Sequence, residues 1–440
     1  MPRALVPPAV LLVCWLPGWA AARWCLARTG RPLAPVWLSP FPEILLGLCL
    51  WSWVGFLLAE LGVFSPFRVG AALIGVSLIL VRGAPAVGRP GWRSPLAGLA
   101  IALLAGTLYS PPYETIVMAS DATIYFNTGV HLGRAGSISV PDPLLGELGF
   151  AARAALLPLG PTVGWTRLPG ALLVRSGEAE VMWPTYFHVL PVWIATFERL
   201  GGLAAGGLVG TMFAVLALWA VFLLAHELLG VAGACVTTAF LLTSVAELFY
   251  ARFLMPEVLT QLFLCGGLLC FVVWWRHEWP SAGALAAAAL GIAGLTRVEY
   301  LFLVPLALLL QLVLVPRRPR GTWLFAGLYL ALLAHGLAHL ALVPTHYREV
   351  VTEEVAHLWS SLPALDARTT ARTVAPVAAI VAAVVVVTRG GWRPGLALAL
   401  AGTWAMALFA RSESQLAPAL SWLAETAPWP VLALACLGLG

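Results

Sequence analysis

Long apolar segments joined by short polar turns constrain this chain more than any other feature of its sequence. A helix needs about 20 apolar residues to cross the hydrocarbon core of a bilayer, and shorter segments must tilt or be buried among their neighbours. Because 61% of the 440 residues are hydrophobic and only 10% are charged, an ordinary soluble globular protein is excluded. We therefore predict an all-α, polytopic transmembrane helix bundle in a cell membrane. The candidate spans are residues 4–22, 41–62, 68–81, 95–110, 203–225, 231–249, 255–275, 281–296, 299–315, 322–343, 374–388, 395–410 and 428–440.

Arginines in four of the connecting segments set the expected orientation. Cytoplasmic loops of membrane proteins are rich in Lys and Arg, so we expect all four clusters to face the cytoplasm. The net charge of +5 therefore gives no reason to predict nucleic-acid binding. The clusters are Arg23, Arg28 and Arg31; Arg82, Arg89 and Arg93; Arg317, Arg318 and Arg320; and Arg389 with Arg393.

The N-terminus resembles a secretory signal peptide, with Arg3 before an apolar run that ends near Ala22. Cleavage there would leave the first arginine cluster outside, against the rule just given. We therefore predict an uncleaved first span, although its three prolines make it a poor helix. At the other terminus, Gly440 stops within an apolar run, which predicts either a short last span or a piece of a longer protein.

Residues 184–200 decide the topology of the second half of the chain. If this apolar segment crossed the membrane, the last two arginine clusters would lie outside; if it lies along the outer surface, every cluster falls inside. Pro191 interrupts the segment and Trp193 suits an interface. We therefore predict a juxtamembrane helix within a long external loop, residues 110–202, which places the polar residues at the ends of several later spans on the external face.

The stretch 120–145 is the first sizeable polar run after the apolar segments. Ser120 is a favourable N-cap residue, Asp121 falls in the first helical turn, and Gly136 marks the end of the helix. We expect a short helix that begins with an acid just outside a membrane span. Such an acid is either a catalytic base or a surface residue that complements the helix dipole.

Four groups of residues between about positions 95 and 310 carry a resemblance to a known family. They are Asp121, Tyr125, Asn127, Thr128, Gly129, Leu132, Gly136 and Asp142-Pro143 in the first loop; Tyr186-Phe187-His188 with Pro191; Tyr250 to Phe253 with Glu257; and Leu295-Thr296-Arg297 with Glu299. These motifs resemble those of polytopic GT-C glycosyltransferases, such as the bacterial lipid A aminoarabinose transferases and the protein O-mannosyltransferases. That family often carries a second acid beside the first, whereas Asp121 is followed by Ala122. A loop-bound divalent metal is therefore possible but not indicated, and no cofactor is predicted.

The resemblance implies transfer of a sugar from a polyprenyl-phosphate-linked donor, with inversion, to a glycan, lipid or protein acceptor on the extracytoplasmic side. Asp121 would be the general base that takes the proton of the attacking hydroxyl, and Asp142 is the reserve acid. The predicted substrate-binding residues are Tyr125, Asn127, Asp142, His188, Arg252, Glu257, Arg297, Glu299 and His339.

Arg252 and Arg297 are predicted to lie at external turns, where arginine is uncommon. Guanidinium groups bind phosphate oxygens through paired, charge-assisted hydrogen bonds, so both arginines are candidates for holding the phosphate of a lipid carrier. The alternative is that they snorkel to lipid headgroups. Glu257 and Glu299 either orient these arginines, bind acceptor hydroxyls or form plain ion pairs.

His335 and His339 are four residues apart and share one face of the predicted span 322–343. Ionisable residues within a span usually face a cavity or a partner, and such a pair can also share a metal ion. The sequence offers no third ligand, so the prediction is that they line a cavity. The loop 344–372 is expected to form an interfacial helix over that cavity.

We expect one membrane domain, with N-terminal spans in residues 1–94, a catalytic core in 95–343, and a loop with further spans in 344–440. The main alternative to a transferase is a lipid or small-solute transporter or flippase, which intramembrane histidines and external arginines would also serve. Transporters often show two related halves, and none is visible in this sequence. A non-catalytic relative that binds lipid carriers is the third hypothesis.

Overall fold

The structure of the protein is a computed structural model. It describes residues 1–31, 33–81, 93–116, 121–149, 151–152, 165–168, 172–175, 181–184, 186–301, 304–305, 308 and 318–343. Ser120, the loop 344–372, the predicted spans from 374 onward and most of the predicted span 299–315 lie outside these residues. The chain divides into two compact units. The first comprises Met1–Thr243, Glu247–Leu301 and Pro319–Arg348; the second comprises Ser244–Ala246, Phe302–Arg318 and Glu349–Gly440.

Helices make up most of the described residues and are numbered here in chain order. They are α1 (Val6–Thr29), α2 (Phe41–Glu60), α3 (Pro66–Val81), α4 (Arg93–Leu108), α5 (Asp121–Ala135), α6 (Pro143–Glu147), α7 (Val189–Gly201), α8 (Leu203–Gly206), α9 (Leu208–Leu242), α10 (Val245–Arg252), α11 (Glu257–His277), α12 (Pro280–Thr296) and α13 (Thr322–Leu342). Two short 3-10 helices, Arg3–Leu5 and Val36–Leu38, precede α1 and α2.

A small antiparallel sheet lies in the segment predicted to be a long external loop, and the all-α prediction did not include it. Its strands are β1 (Val140–Pro141), β2 (Trp165–Leu168), β3 (Leu172–Arg175) and β4 (Val181–Pro184), in the order β1-β4-β3-β2. Strand β4 leads into the turn before α7. The sheet therefore fixes the approach of the chain to residues 186–188.

Five helical stretches among the described residues are long and apolar enough to cross a membrane, as expected of a membrane protein. They are Arg3–Thr29, Phe41–Glu60, Leu203–Leu242, Glu257–His277 and Thr322–Leu342. Three shorter apolar helices, Pro66–Val81, Leu96–Leu108 and Pro280–Thr296, also coincide with predicted spans. The prediction of an apolar helical bundle is thus confirmed for this part of the chain.

The first helix is longer and more regular than the sequence suggested. Pro7 lies in its first turn, where backbone N–H groups have no partner within the helix and proline costs little. Pro17 lies inside the helix without ending it. The helix ends at Gly30, which adopts a positive φ of 69° and donates its N–H to the carbonyl of Leu26. The prediction that the prolines make this segment a poor helix is wrong.

Helix α9 breaks sharply at Gly230, whose φ of 75° and ψ of −175° are not helical. A glycine suits this position because a side chain would be strained at positive φ. The break falls between the predicted spans 203–225 and 231–249, as expected. The second run nevertheless ends at Leu242, and α10 begins anew at Val245, so the helix predicted over 231–249 is interrupted.

Helices α1 and α2 approach each other closely through two glycines. A Cβ atom at Gly18 would lie 1.9 Å from the carbonyl oxygen of Glu43, and one at Gly47 would lie 1.6 Å from the carbonyl oxygen of Cys14. Small residues allow two helix backbones to come this near. The contact also brings Trp15 to Glu43, whose Oε2 accepts a hydrogen bond of 3.0 Å from the indole nitrogen.

The polar residues at the helix termini of the first unit lie at two opposite ends of its helices. At one end, here called the Asp121 end, hydrogen bonds join α5 to the turn before α7, α13 to the last residue of α2, and the residue after α12 to the first residue of α11. Helices α12 and α13 run in the same direction, because Gly291 lies against Leu332 and Gly336 lies against Leu295. Asp121, His339, Glu257 and Arg297 therefore lie at the same end of these helices; that this end is the external one stays a prediction.

The opposite end, here called the Arg276 end, carries basic residues. Arg276 donates to the carbonyl oxygen of Glu227 at 2.8 Å. Arg31 donates to the carbonyl oxygen of Glu278 at 3.5 Å. Cations near helix C-termini interact favourably with the helix dipole. The first predicted arginine cluster therefore lies at the end opposite Asp121.

Helix α7 is a core helix and not a surface helix. Residues 189–197 are all buried. Trp193 donates to Ser52 Oγ at 2.9 Å, and its ring stacks on Trp51 at 5.8 Å between ring centroids. Helix α5 covers α7 at Gly129, where a Cβ would lie 2.5 Å from Ile194 Cβ. The predicted helix is confirmed, and α5 covers it on one side; its predicted position along the outer surface of a membrane stays a prediction.

Candidate functional site

Asp121 is the first residue of α5, and its side chain is exposed. The phenol of Tyr186 donates a hydrogen bond of 2.8 Å to Asp121 Oδ1. The Tyr186 ring stacks on the buried ring of Tyr125, with centroids 5.0 Å apart and planes inclined by 21°. Tyr125 therefore positions Tyr186, and Tyr186 holds one carboxylate oxygen. No residue in the described part of the chain donates to the second oxygen, Oδ2.

Two of the predicted loop residues have structural partners of their own. Asn127 is exposed and donates a long hydrogen bond of 3.5 Å to the carbonyl oxygen of Ile116. Asp142 caps α6, because its Oδ1 accepts a hydrogen bond of 3.0 Å from the backbone N–H of Leu144. Such a cap satisfies a helix N–H group that would otherwise have no partner. Asp142 is therefore engaged in a cap, whereas the described contact of Asp121 is with Tyr186.

Arg252 is the last residue of α10, and its side chain contacts the segment that follows α4. Its Nε donates to the carbonyl oxygen of Pro111 at 2.8 Å, and its guanidinium lies 4.4 Å from the centroid of the Tyr113 ring. The backbone carbonyl of Arg252 accepts from the N–H of Tyr113 at 2.9 Å. These contacts hold the guanidinium plane, while its two terminal nitrogens make no hydrogen bond within the described residues.

Arg297 is part of an ion-paired cluster with two carboxylates. Its Nη1 is hydrogen-bonded to Glu257 Oε1. Its Nη2 and Nε donate to the two carboxylate oxygens of Glu299, at 2.9 Å and 3.3 Å. Burial raises the pKa of Glu299, but the hydrogen bonds and charge of Arg297 outweigh burial and leave this pKa below its ordinary value. Of the alternatives open in the sequence, the structure shows the ion pairs.

The predicted histidines converge on an acid that the sequence analysis did not identify. Glu60, the last residue of α2, lies between two histidines of α13. His335 Nε2 is 2.8 Å from Glu60 Oε2, and His339 Nδ1 is 2.6 Å from Glu60 Oε1. The His339 ring also lies 5.3 Å from the ring of His188, edge to face. We call these four residues the Glu60 cluster.

The hydrogen bonds define the tautomer of His335. Trp53 Nε1, which can only donate, lies 3.1 Å from His335 Nδ1. His335 Nδ1 must therefore carry a lone pair, and Nε2 carries the proton that it donates to Glu60. This assignment makes His335 a neutral imidazole and leaves the negative charge on Glu60.

His188 is fully buried, and neither ring nitrogen has a hydrogen-bond partner in the described structure. Its ring stacks on Phe56, with centroids 6.3 Å apart. Burial lowers the pKa of His188 well below its ordinary value; nearby His339 lowers it further, and Glu60 opposes both effects. Because Tyr186, Phe187 and His188 are consecutive, one short turn links the Glu60 cluster to the hydrogen bond at Asp121.

Sequence reasoning missed Tyr186 as a partner of Asp121 and missed Glu60 altogether. Glu60 has a detectable signal, since it is an acid inside the predicted span 41–62 and buried acids require partners. Its histidine partners are 275 and 279 residues away in sequence, which no local pattern reveals. The structure adds the contact of His339 with Glu60; that His335 and His339 line a cavity and that His339 binds substrate stay predictions.

No group of three or more His, Cys, Asp or Glu side chains within the described ranges is arranged to hold a metal ion. The pair His335 and His339 belongs to no such group; both histidines contact Glu60.

Comparisons with protein-family models, with curated proteins and with solved structures found no match for this chain.

Proposed function

We propose that the protein is a multi-pass glycosyltransferase of the cell membrane that moves a sugar from a polyprenyl-phosphate donor to an extracytoplasmic acceptor, with Asp121 as general base. The proposal rests chiefly on one observation. The exposed Asp121 carboxylate begins a helix, is held through Oδ1 by the Tyr186 hydroxyl, and leaves Oδ2 open. A general base needs this combination of fixed position and a free oxygen.

In the proposed reaction, the acceptor oxygen attacks the anomeric carbon and forms the new glycosidic bond. The bond between that carbon and the phosphate oxygen breaks, and the lipid phosphate leaves with the electron pair. Asp121 Oδ2 takes the proton of the attacking hydroxyl. The Tyr186 hydroxyl keeps its own proton and directs Oδ2 towards the acceptor. A positioned base of this kind contributes about 100-fold or more to the rate.

Arg252 supports the proposal better than Arg297 as the group that binds the lipid phosphate. Arg252 uses only Nε for its protein contact, so its terminal nitrogens remain for a paired hydrogen bond to phosphate oxygens. Arg297 already bonds two carboxylates, and an anion would have to compete with both. A cation beside the departing phosphate stabilises the charge that develops there, which accelerates the reaction.

The test compares Asp121→Asn with Asp142→Asn in proteoliposomes. Each variant receives radiolabelled polyprenyl-phosphate hexoses and pentoses together with an extract of envelope acceptors. We expect Asp121→Asn to lose transfer about 100-fold or more while it still binds polyprenyl phosphate in native mass spectrometry. Asp142→Asn, which removes the charge but keeps the Oδ1 that caps α6, should keep transfer. Full transfer by Asp121→Asn would end the proposal.

The Glu60 cluster favours the transporter as a second candidate function. Ionisable groups near the end of a membrane helix often carry protons or bind transported solutes. A transporter should tolerate Asp121→Asn and lose solute or lipid movement when Glu60 is replaced by Gln. A transferase shows the opposite dependence on Asp121, so the same pair of variants separates the two functions.

A further inference from the structure

Two arginines at the C-terminal end of α1 lie over tryptophan rings. The guanidinium carbon of Arg28 is 5.7 Å from the centroid of the Trp24 ring, and that of Arg31 is 5.9 Å from the centroid of the Trp279 ring. Both arginines are exposed. An aromatic face attracts a guanidinium group without using its N–H groups. Most of these N–H groups therefore remain available for hydrogen bonds to an anion.

A third arginine, Arg320, lies beside the turn that joins α11 to α12, and it is also exposed. The next residue, Gly321, contacts the first residue of α12, since a Cβ at Gly321 would lie 2.8 Å from Pro280 Cβ. Arg31 contacts the same turn, because its Nη1 donates to the carbonyl oxygen of Glu278 at 3.5 Å. Arg31 and Arg320 are therefore neighbours at the Arg276 end, although they are far apart in sequence.

We propose that Arg28, Arg31 and Arg320, here called the arginine patch, bind the headgroup of an anionic phospholipid in the leaflet that surrounds the Arg276 end. The guanidinium groups donate hydrogen bonds to the phosphate oxygens, and the acyl chains lie along exposed apolar side chains of the adjoining helices. The patch is at the end of the helices opposite Asp121, so the proposal does not depend on the transferase function.

The positive charge of the patch is available to a ligand. The neighbouring Arg276 and His277 are engaged with Glu227, at 3.5 Å and 3.2 Å. By contrast, no ion pair in the described part of the chain joins an arginine of the patch to an acid. Glu278 is the acid of the turn. Three guanidinium groups and one carboxylate leave an excess of two positive charges, which favours an anionic partner.

Exposed apolar side chains beside the patch indicate that this partner is a lipid. Trp24 is 41% exposed, and at the start of α13 Trp323 is 82% and Leu324 is 55% exposed. Tryptophan is enriched at the boundary between hydrocarbon and headgroups, so these residues place the patch at headgroup level. A ligand that satisfies both surfaces has an acidic head and an apolar tail. Basic residues at such positions attract anionic lipid headgroups.

The test measures lipid binding by the full-length protein in detergent, with native mass spectrometry as the readout. Phosphatidylglycerol and phosphatidylcholine with identical acyl chains are added in separate titrations. We expect the wild type to bind phosphatidylglycerol at least about tenfold more tightly, because each basic residue near the headgroup contributes about fivefold. Inorganic phosphate at the same concentration should not displace the bound lipid, since it has no apolar tail. These measurements need no variant.

Variants locate the binding site. Arg31→Gln and Arg320→Gln should each weaken the binding of phosphatidylglycerol about fivefold and leave that of phosphatidylcholine nearly unchanged. Arg68→Gln is the matched control, because Arg68 is an exposed arginine of α3 that donates to the carbonyl oxygen of Val63 at 2.7 Å, near the Asp121 end; it should bind both lipids as the wild type does. Equal affinity of the wild type for the two lipids, unchanged phosphatidylglycerol binding by both patch variants, or displacement by inorganic phosphate would overturn the proposal.

Discussion

The close contact of α1 and α2 predicts a large effect from the substitution of one hydrogen by a methyl group. In Gly47→Ala, the new Cβ would lie 1.6 Å from the carbonyl oxygen of Cys14, whereas ordinary contact begins at 3.4 Å. The atom that it meets belongs to the backbone, so no side-chain rotation can relieve the overlap. The two helices must move apart by about 2 Å, and dispersion contacts on both sides of the seam are lost.

The expected cost is at least about 3 kcal/mol, the upper end for overpacking a well-packed interior. The intrinsic helix preference of alanine over glycine, about 1 kcal/mol, opposes this cost but is smaller. The same separation pulls Trp15 away from Glu43 and weakens their hydrogen bond. We therefore expect Gly47→Ala to destabilise the protein and to perturb tryptophan emission.

The measurement is reversible unfolding by a denaturing detergent in mixed micelles, followed by tryptophan fluorescence. Gly75→Ala in α3 is the matched control, because a Cβ there meets nothing within 4 Å. It should be neutral or slightly stabilising. If Gly47→Ala unfolds at the same detergent fraction as Gly75→Ala, the inferred backbone contact is incorrect.

Three further predictions concern pH, charge and topology. Below about pH 6.5 the unfolded chain takes up a proton on His188, whereas the folded protein does not, because burial lowers the pKa of His188. The free energy of unfolding should therefore be highest above about pH 6.5 and fall by up to about 1.4 kcal/mol per pH unit below it. His188→Phe should make the melting temperature nearly independent of pH between 7.5 and 5.5. Arg297→Ala should lower stability by about 1 kcal/mol at pH 7.5, the scale of a partly exposed ion pair, and by about the same amount at pH 5.5, because Arg297 holds the pKa of Glu299 below its ordinary value; a loss that disappears at pH 5.5 would contradict the ion pairing. Single cysteines introduced at Ser137 and Arg318 in a cysteine-free background should react differently with an impermeant thiol reagent on intact cells, Ser137 being labelled and Arg318 protected; labelling at Arg318 would reverse the proposed orientation.

The helices that the sequence predicted best are those defined by the length of an apolar run. Helices α2, α11 and α13 begin and end within about two residues of the predicted spans, because charged or helix-ending residues flank each run. The helix that begins at Asp121 was also predicted correctly, since the acid and Gly136 mark its two ends. These features depend on local sequence alone.

The contacts that complete the candidate site depend on residues that are distant in sequence. Tyr186 is 65 residues from Asp121, and Arg252 is 141 residues from Pro111, whose carbonyl it binds. Composition and periodicity carry no information about such pairs. The antiparallel sheet before α7 was missed for a related reason, because its strands are two to four residues long and too short to show an alternating pattern.

The burial of α7 has a consequence for the order in which the protein is made. At 13 residues, this helix is about 20 Å long and too short to cross a bilayer by itself. Trp51, against which Trp193 stacks, is synthesised earlier, but the Phe213 ring, 5.0 Å from Trp193, belongs to a helix that leaves the ribosome afterwards. The side of α7 that contacts Phe213 is therefore uncovered until α9 has been synthesised. A pause in translation, or the binding of an insertion factor, after α7 is made and before α9 is made would protect the uncovered apolar surface of α7.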